Sequence, residues 1–386
     1  MITATERIHL TRASLLAIAA IFFVMGILGS AYGPLLEHLA RRFDVSLAVA
    51  GEVLSTHFAG ALVGVLVSMR ALQHVSSRSA VLGALTFLGS GCAGVAVAPS
   101  WAAFLVSVFV LGFGWGALDI CCNQLVAHSE GAHRTAVLNA LNGTFGIGAV
   151  AGPILVTTVG RAHLAVMYGG AALVAVALMP LVAGMSGRLP FTSQRTIGSS
   201  TGLLAIFMVA FALYVGMEAG TGGWMPSHLE SVGLQSVAAA TLTSGFWLAL
   251  AVGRLFAALV PARVPERVIV ITGSAVASIA LLAALIPGAA PFAYVAAGLA
   301  IAPIFPSGIV WLAKLRPGDA SATSWLFPAS MVGGAVIPGG IGAVIGRFGV
   351  GVAPALLSIV GLGCLASFWL AARYGTGGSQ PQRASG

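Results

Sequence analysis

The chain has 386 residues, of which 58% are hydrophobic and 7% are charged, and its mean hydropathy is +1.01. A soluble domain of this length cannot bury that much apolar surface, so the composition excludes an ordinary soluble globular protein. The net charge of +8 does not indicate a nucleic-acid-binding protein, because the basic residues are scattered between apolar runs rather than gathered on one face. We therefore predict an integral membrane protein.

Long apolar segments follow one another along the chain. Each extends over roughly 18 to 25 residues, the length of a membrane-spanning helix, whereas barrel strands would be shorter and alternate in polarity. The first segment is too long for the core of a signal peptide and lacks a convincing cleavage site. Twelve transmembrane helices are predicted, at about Ala13–Leu39, Leu47–Met69, Ser79–Ala98, Trp101–Ala127, Thr135–Val159, His163–Met185, Thr201–Met225, Ser236–Val260, Val268–Ile286, Phe292–Leu315, Ala320–Ile345 and Val350–Ala372.

A polar stretch interrupts the hydropathy near the middle of the chain and divides the predicted helices into two groups of six. We expect an N-terminal six-helix bundle over residues 1–185 and a cytoplasmic linker over 186–200. The second six-helix bundle is expected over 201–375 and a flexible cytoplasmic tail over 376–386.

The distribution of basic residues predicts the orientation. On one side of the membrane lie only Arg41, Arg42, Arg161 and Arg347, and Arg254 lies inside a helix. The remaining 13 of the 18 Lys and Arg residues flank the helices on the other side, together with both termini. By the positive-inside rule, both termini and the linker are cytoplasmic.

The two halves also share sequence. GSAYGPLLEHL ends the first helix and GTGGWMPSHL ends the seventh, with His38 aligned to His228, and GIGAVAGP in the fifth helix is echoed by GGAVIPGG in the eleventh. An offset of about 190 residues, close to half the chain, is typical of two six-helix repeats around a central cavity. The predicted fold is an all-α membrane protein with two pseudo-symmetric six-helix bundles, the major facilitator fold.

Five motifs in the same order resemble the fucose permease branch of the major facilitators and its relatives of the sodium-dependent glucose transporter type. They are LDICCNQLV, LNALNGTFGIGA, YVGMEAGTGGWM, GFWLALAVGRL and APIFPSGI. The resemblance implies a monosaccharide carrier driven by a proton or cation gradient, with Asp119 as the coupling carboxylate and Asn123 on the family's helix 4 asparagine. The fucose permeases proper carry another essential carboxylate in the middle of helix 1, where this chain has small residues and its nearest acid is Glu37.

Asp119 is a carboxylate inside an otherwise apolar segment, and such a group usually works on protons, ions or substrate. A structural hydrogen bond or a buried ion pair is the alternative. One turn further on lies Asn123. In the next helix Asn139 and Asn142 are three residues apart on one face, where they can bind sugar hydroxyls or Asp119, or join two helices.

Glu218 is the second acid within a predicted helix, and the glycines that follow it are expected to unwind the outer end of that helix. It is a candidate for proton coupling, for substrate or cation binding, or for the outer gate. An unpaired guanidinium at Arg254 would be costly, so we expect it to form an inner-gate lock between the halves rather than to bind substrate. Glu37 is the second gating candidate.

Aromatic rings offer sugars an apolar surface. Trp247 and Trp325 are predicted to lie well inside helices 8 and 11, and Phe327 stands next to a proline. These three residues are candidates for the wall of the cavity. The cysteines have neither disulfide nor zinc spacing and are expected to be buried hydrophobic residues.

No ATP-binding loop, metal-ligand cluster or nucleophile and base pair is recognisable, so we predict neither an enzyme nor a cofactor. The favoured function is symport of a monosaccharide with H⁺, rather than Na⁺, by a monomer in the cell inner membrane. Two alternatives remain: a proton-driven efflux antiporter for drugs or metabolites, and a receptor or lipid-handling protein on a carrier scaffold. A large aromatic pocket would favour export, and an asparagine-rich pocket a sugar.

Overall fold

The computed structural model describes residue 8 and residues 10–72, 74–129, 134–160, 163–187, 201–257, 264–317 and 319–377. Twelve helices in these ranges are long and apolar enough to cross a bilayer, which makes the chain a multi-pass membrane protein and confirms the predicted fold class. They are α1 (Arg12–Phe43), α2 (Leu47–Ala71), α3 (Ser77–Val97), α4 (Trp101–His128), α5 (Ala140–Gly160), α6 (Leu164–Gly184), α7 (Thr201–Ser231), α8 (Ser236–Phe256), α9 (Glu266–Ala283), α10 (Ala290–Leu315), α11 (Ala322–Phe348) and α12 (Val350–Tyr374). Most of the predicted linker (188–200) and tail (378–386) lie outside the described residues.

The first four helices begin at hydroxyl residues. The side chains of Thr11, Ser46, Ser76 and Ser100 each accept a hydrogen bond from the backbone N–H three residues further on. An N-cap of this kind satisfies one of the backbone donors that a helix leaves open at its start. These caps explain why long apolar segments divide into separate helices at short polar turns.

Within the N-terminal half, α2 and α4 cross at closely spaced glycines. A Cβ added at Gly60 or Gly64 would collide with the backbone of α4, and one added at Gly112 or Gly116 would collide with that of α2. Small residues let helix backbones approach where lipid supplies no hydrophobic driving force. The crossing holds the middle of α4 firmly within its bundle.

The outer end of α7 differs from the prediction. The helix continues without interruption to Ser231, instead of unwinding after Glu218. Its glycines serve as contact points: a Cβ at Gly222 would meet the Trp247 ring, and a Cβ at Gly223 would meet the side chain of Leu54 on α2. The glycine run therefore permits close packing and does not break the helix.

The two halves meet along α1 and α7, α2 and α11, and α5 and α8. At the α1–α7 contact, a Cβ on Gly33 would overlap the backbone of Gly222. Nearby, the fully buried Trp224 ring fills the space beside Gly51 of the α1–α2 region, and its Nε1 donates to the carbonyl oxygen of Pro338 on α11 at 3.0 Å. The two copies of the internal repeat thus pack against each other, at the end of the molecule that the basic residues predict to be outside.

Candidate functional site

A line of three residues on α4 carries the buried acid. Trp115, Asp119 and Asn123 are spaced by four and so share one helical face. The Asn123 amide donates to the Asp119 Oδ1 at 3.0 Å and to the Asp119 backbone oxygen at 2.9 Å. Within the described residues no Lys, Arg or His pairs with Asp119, so its neutral, protonated form avoids leaving an unpaired charge in the membrane.

Helices α1, α2 and α5 hold the Trp115 end of this line. The Trp115 Nε1 donates to the Met25 carbonyl at 3.2 Å, and its ring lies 6.3 Å from that of Phe145 and 5.5 Å from that of His57. His57 is buried and shares a 3.1 Å hydrogen bond between its Nδ1 and the Tyr32 hydroxyl. The two residues are 25 positions apart on different helices, so the sequence alone gives no sign that Tyr32 is the partner of His57.

The second charged group lies between α7 and α8. The Tyr214 hydroxyl donates to the Glu218 Oε2, and the Arg254 Nη2 donates to the Tyr214 hydroxyl at 3.3 Å and to the Glu218 Oε2 at 3.4 Å. The side chains of Arg254 and Glu218 are 27% and 15% exposed. The pair is therefore compensated in charge and still accessible from the space beside it.

Aromatic rings lie on one side of this group, next to Tyr214. Phe305 of α10 lies 5.8 Å from the Tyr214 ring and 6.1 Å from the Phe327 ring. Trp247 is buried two turns before Arg254 on α8, and its Nε1 has no hydrogen-bond partner in the described part of the chain. Of the predicted aromatic residues, Phe327 thus lies beside Phe305, and Trp247 lies about two turns along α8 from Arg254. Tyr214 was not among the predicted site residues, although its spacing of four from Glu218 places both side chains on one face of α7.

The α5–α8 contact brings the two halves together beside this group. A Cβ on Gly146 would lie 3.0 Å from the Cβ of Ala251. Asn142 stands one turn before Gly146, and Arg254 stands nearly one turn after Ala251 on the helix that runs the opposite way, so both lie at similar depth. Asn142 is exposed and its amide donates to the Leu138 carbonyl at 2.9 Å. The side chain of Asn139 lies outside the described residues.

Three expectations from the sequence need correction. The described partners of Arg254 lie on its own half, so the predicted lock between the halves is not formed by this residue here. Glu37 pairs at 3.4 Å with Arg41 one turn along α1, because that spacing satisfies it locally. Trp325 lies near the start of α11 and not well inside it: the regular helical hydrogen bonding is interrupted there, between the segments Ala320–Ser324 and Leu326–Phe348, and the residue is 45% exposed.

The four cysteines are buried and free, as expected for small hydrophobic residues. Among the described residues, no group of three or more His, Cys, Asp or Glu side chains is placed to hold a metal ion. The polar groups described at the site are two carboxyl groups, one guanidinium, one imidazole, two phenols and amides.

Residues 18–200 match the sequence profile of the Major Facilitator Superfamily. Several known proteins align with the chain, and two of them illustrate the range. The "Glucose/mannose transporter GlcP" of Bacillus subtilis (strain 168) is 23% identical over 355 residues, 82% of this chain and 84% of the relative. The "Cis,cis-muconate transport protein" of Acinetobacter baylyi (strain ATCC 33305 / BD413 / ADP1) is 25% identical over 260 residues, 60% of this chain and 62% of the relative.

Among solved structures, that of a D-xylose-proton symporter superposes with a TM-score of 0.78 at 13% identity, covering 92% of this chain and 97% of that one. The agreement extends over both six-helix halves and therefore establishes the fold. Together with the profile match and the curated relatives, it confirms the resemblance drawn from the sequence motifs. Residues 18–200 thus match the Major Facilitator Superfamily of membrane transporters in sequence, and the chain as a whole has the fold of such a transporter.

Proposed function

We propose that the protein is a secondary active transporter that carries a monosaccharide together with a proton. The observation that supports this most strongly is Asp119, a half-buried carboxyl group in a membrane-spanning helix whose described hydrogen-bond partner is Asn123 and not a cation. Such a group binds a proton when its surroundings are apolar and releases it when water enters. We place the protein in the cell inner membrane with both termini cytoplasmic.

Proton and substrate are coupled through closure of the bundles. The carrier loaded with sugar closes with Asp119 in its neutral, protonated form, and the proton leaves to water where the cavity next opens. Sugar and proton together favour the occluded form, and either one alone does not. That difference in affinity between conformations is what links the two gradients.

The sugar assignment draws on the relative named as a glucose/mannose transporter, which aligns over most of both chains. The site is compatible with this cargo. Trp115, Phe305 and Phe327 provide ring surfaces for the C–H faces of a sugar, and Asn123 and Asn142 provide amide donors and acceptors for its hydroxyls. Because another relative is named for the transport of cis,cis-muconate, tests of substrate binding should also include compounds that are not sugars.

Rocking of the two halves fits the packing between them. Their contact at the predicted outer end consists largely of helix backbones that approach through Gly33, Gly222 and Gly223, together with the single large ring of Trp224. At several points of this contact a side chain of one half lies against a glycine of the other, as Leu54 does against Gly223, so the halves can separate without moving either helix within its own bundle. The site residues Asp119 and Glu218 belong to different halves, so movement of the halves changes the space between them.

The direct test is proton uptake in lightly buffered, de-energised cells or proteoliposomes during addition of single monosaccharides. We expect alkalinisation of the medium with at least one sugar, and loss of that signal in Asp119→Asn. Arg41→Gln, which changes an exposed charge outside the site, serves as the matched control.

Silence across the sugar panel, with toxic cations or dyes acidifying the medium in a manner that depends on Asp119, would instead identify an efflux antiporter. Binding of a sugar without any proton movement would identify a receptor on a carrier scaffold. Neither result is compatible with the proposed symport.

A further inference from the structure

The guanidinium of Arg254 makes only part of its possible hydrogen bonds. Both of its described contacts, with Tyr214 and with Glu218, are made by Nη2. Arginine has five N–H donors, and within the described residues no acceptor faces those on Nε and Nη1. Since 27% of the side chain is accessible, these donors are within reach of water or a ligand.

The depth of the group makes this feature unusual. Arg254 is the third residue from the end of α8, but its guanidinium reaches Glu218 near the middle of α7, so the charge lies inside the bundle and not in a loop. A cation at that depth is costly unless it is fully paired, and the 3.4 Å separation from Glu218 is long for an ion pair. A neutral sugar needs no fixed cation, whereas a planar carboxylate matches the fork of an arginine.

We propose that Arg254 binds a carboxylate on the substrate, so that the transported compound is a sugar acid such as a hexuronate. The inference rests on the proposed function and specifies its substrate class. The carboxylate meets the donors on Nε and Nη1, while Nη2 keeps its contacts with Tyr214 and Glu218. The sugar ring then packs on Phe305, which lies 5.8 Å from the Tyr214 ring, and on Phe327 beyond it.

Glu218 competes with the substrate for the same cation. In the empty protein, Glu218 is the one carboxylate among the described residues that pairs with Arg254. When the substrate binds, its carboxylate becomes a second anion beside the same guanidinium. Removing the charge at Glu218 should therefore tighten binding of the acid. Removing the cation should weaken it by at least about 30-fold, the usual loss for a desolvated charged contact.

The test is equilibrium binding of labelled glucuronate and galacturonate, and of glucose as the neutral probe, to the purified full-length protein. We expect tighter binding of the acids than of glucose by the wild type, still tighter binding by Glu218→Gln, and a loss of at least about 30-fold in Arg254→Gln. The double variant E218Q/R254Q carries no uncompensated charge, so it distinguishes lost binding from misfolding. It should fold and should bind the acids as weakly as Arg254→Gln.

Acid binding by E218Q/R254Q that equals the wild type would overturn the inference. Binding of glucose, but of neither acid, by the wild type would also overturn it. In that case proton uptake with neutral sugars would still support the proposed symport. If neither acids nor neutral sugars bind or produce Asp119-dependent proton uptake, the proposed function itself fails.

Discussion

Substitution of Gly33 by alanine should open the predicted outer face of the protein. A Cβ at this position would overlap the carbonyl oxygen of Gly222 and lie 3.0 Å from that of Gly223. Both obstacles are backbone atoms of α7, so no side chain can rotate away. The two halves must instead separate, and the conformation closed at this end loses stability relative to one that is open there.

The size of the effect follows from the cost of overpacking. An added methyl group in a tight contact costs about 1–3 kcal/mol, here in the closed conformation alone, since the open one has no contact at Gly33. That free energy changes the ratio of open to closed molecules by about 5- to 150-fold. Gly29→Ala is the matched control, because a Cβ on Gly29 meets nothing within 4 Å and brings the same gain in helix propensity.

A cysteine at Ser55 can serve as the reporter. The Ser55 hydroxyl is buried at the contact between α2 and Gly339 of α11, and the native cysteines are buried. We expect a membrane-impermeant maleimide, added from outside, to label Ser55→Cys faster in the Gly33→Ala background and at the original rate in the Gly29→Ala background. Equal labelling rates in the two backgrounds would refute the idea that Gly33 permits closure.

Three further predictions concern stability, each measured by the thermal midpoint of the purified protein. Trp224→Phe should lower the free energy of unfolding by about 1–3 kcal/mol, because it leaves a buried carbonyl of α11 without its 3.0 Å donor; an unchanged midpoint would contradict this. Glu218→Gln should destabilise by about 1–3 kcal/mol by leaving Arg254 without its counter-ion, and adding Arg254→Gln should recover most of the loss; additive losses would argue against the pair. Lys314→Gln should change stability by less than about 1 kcal/mol despite the ion pair with Glu266, since the lysine side chain is 62% exposed, and a larger loss would show that this bond matters.

Much of the architecture was predictable because hydropathy alone determines where a chain can cross a bilayer. Every predicted span corresponds to one of the twelve helices, with ends that shift by a few residues. The outer end of α7 was mispredicted, because glycine can either loosen a helix or admit a neighbour. Which of the two applies depends on Leu54 and Trp247, which come from elsewhere in the chain.

The site shows the same division between local and distant contacts. Asp119 and Asn123 are four residues apart, so their hydrogen bond could be expected from helical spacing. The partner of Arg254 lies 36 residues away on another helix, and the sequence indicated only that some partner was needed. Trp325 was misplaced because a hydropathy window registers an apolar segment and cannot detect a break within it.

The most direct test of proton coupling at Asp119 compares two modes of transport in proteoliposomes containing the wild type or Asp119→Asn. With an imposed proton gradient, we expect the wild type to accumulate the labelled sugar or sugar acid that gave proton uptake, and the variant to reach no more than equal concentrations inside and outside. Without a gradient, both should exchange labelled for unlabelled substrate, since exchange requires the carrier to move only when loaded. If Asp119→Asn accumulates substrate as the wild type does, Asp119 is not the coupling group and the account is wrong.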